Sequence, residues 1–471
     1  MRDNNNLPPT SGLELTPEEM RGLGYRVVDL IVDRWTHLGE GPAWQFESRR
    51  ELEPRVWGPP PEEGRDPEEV IQQVLDDVLP FAGRIDHPRF FAFIPSSPTW
   101  PSFLGEMLAT GFNVFQGTWL ESAGPSQLEL VVMDWFRDWL GFPEGGGGLL
   151  TSGGSAANLC ALVTAREWAG RPERPILYIS DQGHSSLERA ARVIGIPAGD
   201  VRRIPTDDNF RIDVGLLTES LKRDRDAGLY PLCVCGNAGA TNTGAIDPLV
   251  SLSEVAKDEG IWFHVDGAYG GFAILAPGER AAFSGIESAD SVTLDPHKWL
   301  FQPYETGCLM VRDTGLLEQA FRILPEYLQD TALGQEHVNF ADRGIQLTRG
   351  FRALKVWMSI QSLGLEAFRK AIQVAIDHAR AAEDFIRRST HLEMLGPSSL
   401  GIVCFRFRDP ELPHGPEELE SLNLASQEEI VHSGVAMMSS TRLRGLFSLR
   451  LSILTYRSTW EDVQETLETV I

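Results

Sequence analysis

Between Gly148 and Val311 the chain alternates short apolar runs with segments of helical pattern, and this alternation constrains the fold more than any other feature of the sequence. The runs are Ile176-Leu-Tyr-Ile, Leu232-Cys-Val-Cys, Ile261-Trp-Phe-His-Val, Ser291-Val-Thr-Leu and Gly307-Cys-Leu-Met-Val. They are too short for helices and nearly continuous in their apolar character, which is the pattern of strands covered on both faces. Segments such as Leu159–Trp168, Ser186–Ile194 and Leu249–Glu259 supply covering helices. Strand and helix in turn predict a mainly parallel sheet in an α/β domain, with its ligand beyond the carboxyl ends of the strands.

The remaining sequence extends this domain on both sides. At 471 residues the chain exceeds one ordinary core, taking roughly 150 residues per domain. A polar tail, Met1–Thr10, precedes a helix that Thr16 caps and Pro17 opens, with an apolar stripe at Leu23, Val27, Leu30 and Ile31. A proline-rich connector from Trp57 and a second helix through Val70-Ile-Gln-Gln-Val-Leu follow. Such an arm has little core of its own and needs another surface, such as that of a second subunit. After about Ala353, long helical patterns lead into the strand-like Gly401-Ile-Val-Cys-Phe-Arg-Phe and Phe447-Ser-Leu-Arg-Leu-Ser-Ile-Leu. The expected division is an N-terminal arm over 1–99, a large domain over 100–358 and a small α+β domain over 359–471.

Charge and cysteine usage narrow the function classes. With 42 Lys+Arg against 67 Asp+Glu the formal charge is −25, the wrong sign for neutralising phosphate backbones, so no nucleic-acid partner is expected. No apolar window reaches the roughly 18 residues of a membrane span, and the N-terminus lacks the pattern of a secretory signal; a cytoplasmic protein without a membrane partner is expected. The cysteines Cys160, Cys233, Cys235, Cys308 and Cys404 are odd in number and scattered, which disfavours a disulfide framework. Cys233 and Cys235 have no second Cys/His pair at zinc spacing and read as packing thiols, so no metal site is expected.

Four motifs fall where the sheet places its ligand edge. Leu150-Thr-Ser-Gly-Gly-Ser-Ala-Ala-Asn-Leu is a small, hydroxyl-rich turn opening a helix, a cradle for an anion. Ile261-Trp-Phe-His-Val-Asp266 ends a strand in a carboxylate able to pair with a protonated ring nitrogen. Ser291-Val-Thr-Leu-Asp-Pro-His297-Lys298-Trp places an amine, able to form an imine with an aldehyde, after a strand. Tyr178-Ile-Ser-Asp-Gln-Gly-His184 puts an imidazole past another strand end. Singly, each has a bland reading: a helix cap, an aspartate bonding its own turn, a lysine reaching solvent, a structural histidine. Together they meet the requirements of pyridoxal 5′-phosphate.

In their order, Thr151-Ser-Gly-Gly-Ser-Ala-Ala-Asn-Leu, Asp181-Gln-Gly-His-Ser-Ser, His264-Val-Asp-Gly-Ala-Tyr-Gly-Gly and Asp295-Pro-His-Lys-Trp resemble the group II pyridoxal-phosphate decarboxylases, above all the aromatic-L-amino-acid decarboxylases. The resemblance runs from His87-Pro-Arg-Phe-Phe to Leu449-Arg-Leu. It implies fold type I, as in aspartate aminotransferase, with a mainly parallel seven-stranded sheet. It implies decarboxylation of an aromatic amino acid by a homodimer with shared active sites. Lys298 becomes the Schiff-base lysine and Asp266 the partner of the pyridine nitrogen. Gly153, Gly154 and Ser155 hold the phosphate with help from His297, His184 stacks on the ring, and Thr241, Ala268 and Asp295 complete the cofactor pocket. Tyr327 matches the tyrosine that protonates the substrate from a loop, and Phe93, Pro95, Ser96 and Phe115 are the expected substrate contacts. Asp295 and Gly267 differ from the asparagine and alanine of animal members, Ile85 takes the place of a tryptophan, and Gly117 that of an aromatic donated by the neighbouring subunit. Members that release an aldehyde often replace the loop tyrosine or the stacking histidine; both are present here. An aldehyde-forming oxidative reaction, or a non-aromatic substrate, is the alternative.

Overall fold

A computed structural model describes residues 13–95, 97–323, 337–411 and 415–471. The chain forms two compact units, Met1–Arg84 and Ile85–Ile471. In the first, Thr16 caps α1 (Pro17–Thr36) in a reciprocal capping box with Glu19, as the sequence pattern predicts. Then come α2 (Arg49–Val56) and α3 (Pro67–Asp77), and none of the three helices has a buried residue. Arg84 gathers the loop after α1 by donating to the carbonyls of Leu38, Glu40 and Pro42 at 2.7 to 2.9 Å.

The second unit is built on a seven-stranded sheet of order β1-β7-β6-β5-β4-β2-β3. Its strands are β1 (Gly147–Thr151), β2 (Pro175–Ser180), β3 (Val201–Ile204), β4 (Tyr230–Asn237), β5 (Trp262–Gly267), β6 (Ser291–Leu294) and β7 (Gly307–Val311). Only β7 is reversed, pairing antiparallel with β1 and β6, whereas β6-β5-β4-β2-β3 is parallel throughout. The continuous apolar runs are buried along β2, β5, β6 and β7, because helices cover both faces. The helices here are α4 (Trp100–Gly111), α5 (Trp119–Leu140), α6 (Gly154–Trp168), α7 (Ser185–Val193), α8 (Val214–Asp226), α9 (Leu249–Glu259), α10 (Gly315–Phe321) and α11 (Ala353–Leu363), and the expected helical segments fall on α6, α7 and α9. Cys233 and Cys235 lie buried in β4, with their sulfurs 3.8 Å apart.

Gly147 and Gly148 open β1. A Cβ on Gly148 would lie 1.9 Å from the carbonyl oxygen of Leu309 on β7, so the strand pairing tolerates no side chain there. A buried ion pair braces the same edge. Arg349 Nη2 lies 2.6 Å from Glu129 Oε1, and both side chains are almost wholly excluded from solvent. Glu129 accepts from the Leu150 N–H at 2.8 Å and Arg349 donates to the Leu150 carbonyl at 2.8 Å, so the pair holds β1 in place just before the glycine turn. Removing one partner would leave a buried charge unpaired, a loss of about 3 to 5 kcal/mol in comparable cases.

Beyond α12 (Leu365–Arg388) lies a four-stranded antiparallel sheet of order β10-β11-β9-β8, made of β8 (Leu392–Met394), β9 (Ile402–Phe407), β10 (Ser439–Leu443) and β11 (Leu446–Ser452). With α13 (Pro416–Ser433) and α14 (Trp460–Val470) it encloses its own apolar cluster, including Val403, Phe405, Leu449 and Leu467.

Candidate active site

The parallel register brings the functional side chains to one edge. Asn237, Asp266 and Thr293 are register partners across β4, β5 and β6, so whatever follows them emerges side by side. β1 runs into the turn that opens α6, β2 leads to His184, and β6 leads to Asp295, His297 and Lys298. A cavity of about 290 Å³ collects these turns. It is lined by all ten expected cofactor residues: Gly153, Gly154, Ser155, His184, Thr241, Asp266, Ala268, Asp295, His297 and Lys298.

The glycine turn has the shape of an anion cradle. Gly153 gives α6 no side-chain cap, and while the Ala156 N–H donates to the Gly153 carbonyl, the N–H groups of Gly154 and Ser155 are left for a ligand. A Cβ on Gly154 would meet Ala268 Cβ at 2.8 Å and Asp295 Oδ2 at 3.1 Å, so any side chain there would fill the cradle. Close packing beneath adds to this, since a Cβ on Gly307 would lie 2.4 Å from Gly153 Cα.

Lys298 Nζ forms an ion pair with Asp295 Oδ2 at 2.9 Å, and the lysine side chain is 17% exposed. Asp295 Oδ1 is buried and has no hydrogen-bond partner among the described residues, an acceptor left over at the cavity wall. His297 Nδ1 donates to the Thr306 carbonyl at 2.6 Å. Burial pushes the His297 imidazole below its ordinary range; Asp295 opposes this and Lys298 adds to it.

Asp266 is buried and accepts from the Ala268 N–H at 3.1 Å and from Asn158 Nδ2 at 2.9 Å. Behind Asn158 lies His264, wholly buried on β5, its Nε2 3.0 Å from Asn158 Oδ1 and its Nδ1 2.8 Å from Ser291 Oγ. Burial pushes His264 down to about 4 from an ordinary 6.5, against the opposing pull of Asp266. As pH falls, the unfolded chain therefore takes up this proton near 6.5 and the folded chain only near 4. Stability is lost across that window, by about 3 kcal/mol at about 1.4 kcal/mol per pKa unit. His264→Gln keeps an N–H for Asn158 and cannot titrate. Its stability in denaturant melts is expected to fall about 3 kcal/mol less than that of the wild type between those two pH values; parallel losses would contradict the assignment.

Asn158, Ser186, His264 and Asn237 were not singled out by sequence reasoning. Asn158 lies one turn into the helix that the glycine motif opens, a signal that could have found it. Arg450 falls in the Leu449-Arg-Leu motif at the end of the resemblance, but nothing in that short motif marks it as a site residue. From β11 it donates to the carbonyls of Thr241 at 2.6 Å, Asn242 at 3.2 Å and Phe93 at 2.8 Å, tying the cavity wall to the expected substrate segment.

The expected substrate contacts are placed differently. Phe93 is 62% exposed with φ of 51°, Pro95 is buried, and Phe115 occupies the space beside Gly117. None of these three lines the cavity that holds Lys298. Ser96 and Tyr327 lie outside the described residues.

A cup for phosphate, a carboxylate for a ring nitrogen and an amine at one sheet edge suit pyridoxal phosphate, and the sheet around them is that of the fold-type-I pyridoxal enzymes. Residues 55–408 match the pyridoxal-dependent decarboxylase conserved domain. The chain belongs to this family of pyridoxal-phosphate enzymes. An aromatic-L-amino-acid decarboxylase of Bacillus atrophaeus is 41% identical over 96% of this chain and 95% of its own. The tryptophan decarboxylase of Catharanthus roseus, solved with L-tryptophan, superposes with a TM-score of 0.91 at 31% identity, covering 97% of this chain and 98% of that one. The Oryza sativa structure described as TDC with PLP and tryptamine gives a TM-score of 0.92 at 28% identity, covering 97% of each chain.

Proposed function

We infer that this chain decarboxylates an aromatic L-amino acid of the phenylalanine, tyrosine, dihydroxyphenylalanine or tryptophan class, releasing the amine and CO2 with pyridoxal phosphate as cofactor. The observation that carries this reading is the convergence of Lys298, Asp266, His184 and the glycine turn on one cavity. The aromatic class rests on the relatives just described.

When bound, pyridoxal phosphate supplies an electron sink for the pair left behind as CO2 departs. The residues of this chain do the rest. The first turn of α6 binds the phosphate through its N–H groups. Lys298 would hold the cofactor through its amine, and Asp295 would balance the charge of that amine whenever it is free as an ammonium. Asp266 keeps a proton on the ring nitrogen, since an adjacent carboxylate favours the charged form. His184 covers one face of the ring. Tyr327 returns a proton to the substrate Cα.

The reading extends to a homodimer in the cytoplasm with active sites shared between copies. An amphipathic α1 with no buried residue supports the dimer, because such a stripe needs a covering surface. Phe93, Pro95, Ser96 and Phe115 then contact substrate where a site is completed by the second copy. Within each copy we retain an arm over 1–99, a cofactor domain over 100–358 and a small domain over 359–471, the last supported by its own sheet and apolar cluster.

Tyr327→Phe tests the reaction type. The variant is expected to bind pyridoxal phosphate as the wild type does and to lose amine formation by at least about 100-fold, the effect of removing a positioned proton donor. Amine and peroxide are measured together; unchanged amine turnover would remove Tyr327 from the mechanism.

A further inference from the structure

Asn158, fully buried on α6, uses every hydrogen-bonding position of its side chain. Its Oδ1 lies 3.0 Å from His264 Nε2 and 2.6 Å from Thr293 Oγ1, and its Nδ2 lies 2.9 Å from both Asp266 Oδ2 and Ser186 Oγ. The chemistry at the ends fixes the direction of each bond. An ionised Asp266 offers only acceptors, so the amide must turn its nitrogen to the carboxylate and its oxygen to His264 and Thr293. The reverse orientation would set two acceptor oxygens 2.9 Å apart in a dry interior.

His264 therefore donates from Nε2, and its Nδ1 accepts from the Ser291 hydroxyl, which in turn accepts from the indole N–H of Trp262 at 2.8 Å. On the other side, one Asn158 N–H goes to Asp266 and the second to Ser186 Oγ. The Ser186 hydroxyl hydrogen is then directed to His184 Nδ1, 2.8 Å away, and the Ser186 backbone N–H also donates to that nitrogen at 3.2 Å. An Nδ1 that accepts leaves the imidazole proton on Nε2.

We propose that Asn158 is a positioning residue that ties the Asp266 carboxylate to the His184 imidazole and, through Ser186, fixes His184 as the neutral tautomer with its proton on Nε2. The imidazole meets the cavity as a hydrogen-bond donor and not as a base. The consequence for cofactor affinity rests on the function proposed above, whereas the tautomer does not.

The test is NMR of the full-length chain with isotope-labelled histidine, the His184 signals assigned by their loss in His184→Gln, together with a fluorescence titration of pyridoxal phosphate. The wild type is expected to show a bare Nδ1 and a protonated Nε2 at His184; a proton on Nδ1 overturns the proposal. Asn158→Asp replaces both donors with acceptors and turns the Ser186 hydroxyl toward the new carboxylate. It is expected to give a measurable Nδ1-protonated population and to raise the cofactor dissociation constant about 10- to 100-fold, the range found when the partner behind a ligand-holding residue is lost at metal sites. An unchanged tautomer in that variant overturns the proposal. A changed tautomer supports it even if the wild type binds no pyridoxal phosphate, a result that would overturn only the functional reading. Should Asn158→Asp fail to fold, Ser186→Ala carries the test, because it removes only the hydroxyl between amide and ring. Mixed tautomers with near wild-type cofactor affinity are then expected, and a purely Nε2-protonated His184 overturns the coupling.

Discussion

Lys298→Arg is expected to abolish amine formation, by at least about 1,000-fold, and to leave no cofactor attached after borohydride reduction. The substitution keeps a positive charge near Asp295, whose carboxylate lies 2.9 Å from the lysine nitrogen, so the ion pair has a replacement and the fold is retained. What arginine cannot do is lose its proton. A guanidinium, which stays protonated in proteins, has no free amine to attack an aldehyde. The chain has only five lysines and otherwise carries its positive charge on arginine, and the imine chemistry proposed for Lys298 is one that the commoner cation could not perform. Mass spectrometry of the peptide containing residue 298, with activity measured on the same sample, checks both halves. A reduced cofactor on another residue, or an active arginine variant, would remove Lys298 from the mechanism.

Asp266→Asn is expected to keep the fold, bind cofactor more weakly, and lose on the order of 100- to 1,000-fold in kcat/KM at saturating cofactor, the scale of one lost preorganised electrostatic contact. The side chain is buried, and its two oxygens accept from the Ala268 N–H and from Asn158 Nδ2. An amide of the same shape must point an oxygen at Asn158 to keep that bond, and it brings no charge to hold a proton on a ring nitrogen. The electron sink weakens while the phosphate cradle is untouched. Loss of turnover should therefore exceed loss of cofactor affinity. A variant within about threefold of wild type in kcat/KM would show that the ring nitrogen does not depend on this carboxylate.

The parts of the fold that were legible in the sequence are those where burial is uniform. β2, β4, β5, β6 and β7 announce themselves because strands covered on both faces have no reason to alternate. β3 did not, since at the sheet edge Val201-Arg-Arg-Ile puts arginines on a half-open strand, and β10, Ser439-Ser-Thr-Arg-Leu, is largely polar for the same reason. α2 carries Pro54 in its interior, which masks a helix whose start is set by Ser48.

In the site, most of the cavity-lining residues expected from the sequence sit in short local motifs, whereas Ser186 and Asn237, which also line it, do not stand out there. Asn158, His264 and Arg450 act through contacts that exist only after folding. Asn158 reaches Asp266 because α6 packs against β5, and Arg450 reaches Thr241 from a strand of a different sheet. Their roles follow from register and packing, which periodicity does not encode.

The central claim is a decarboxylase acting on aromatic amino acids through a cofactor held by Lys298 and Asp266. Its most direct test is a substrate panel of Phe, Tyr, dihydroxyphenylalanine, Trp and Glu, incubated with the full-length chain and pyridoxal phosphate, with CO2, amine and peroxide measured in each reaction. The account predicts CO2 and the matching amine in equal amounts from at least one aromatic substrate, with no turnover of glutamate and no stoichiometric peroxide. Peroxide in step with CO2 and without amine, or turnover of glutamate alone, would contradict it.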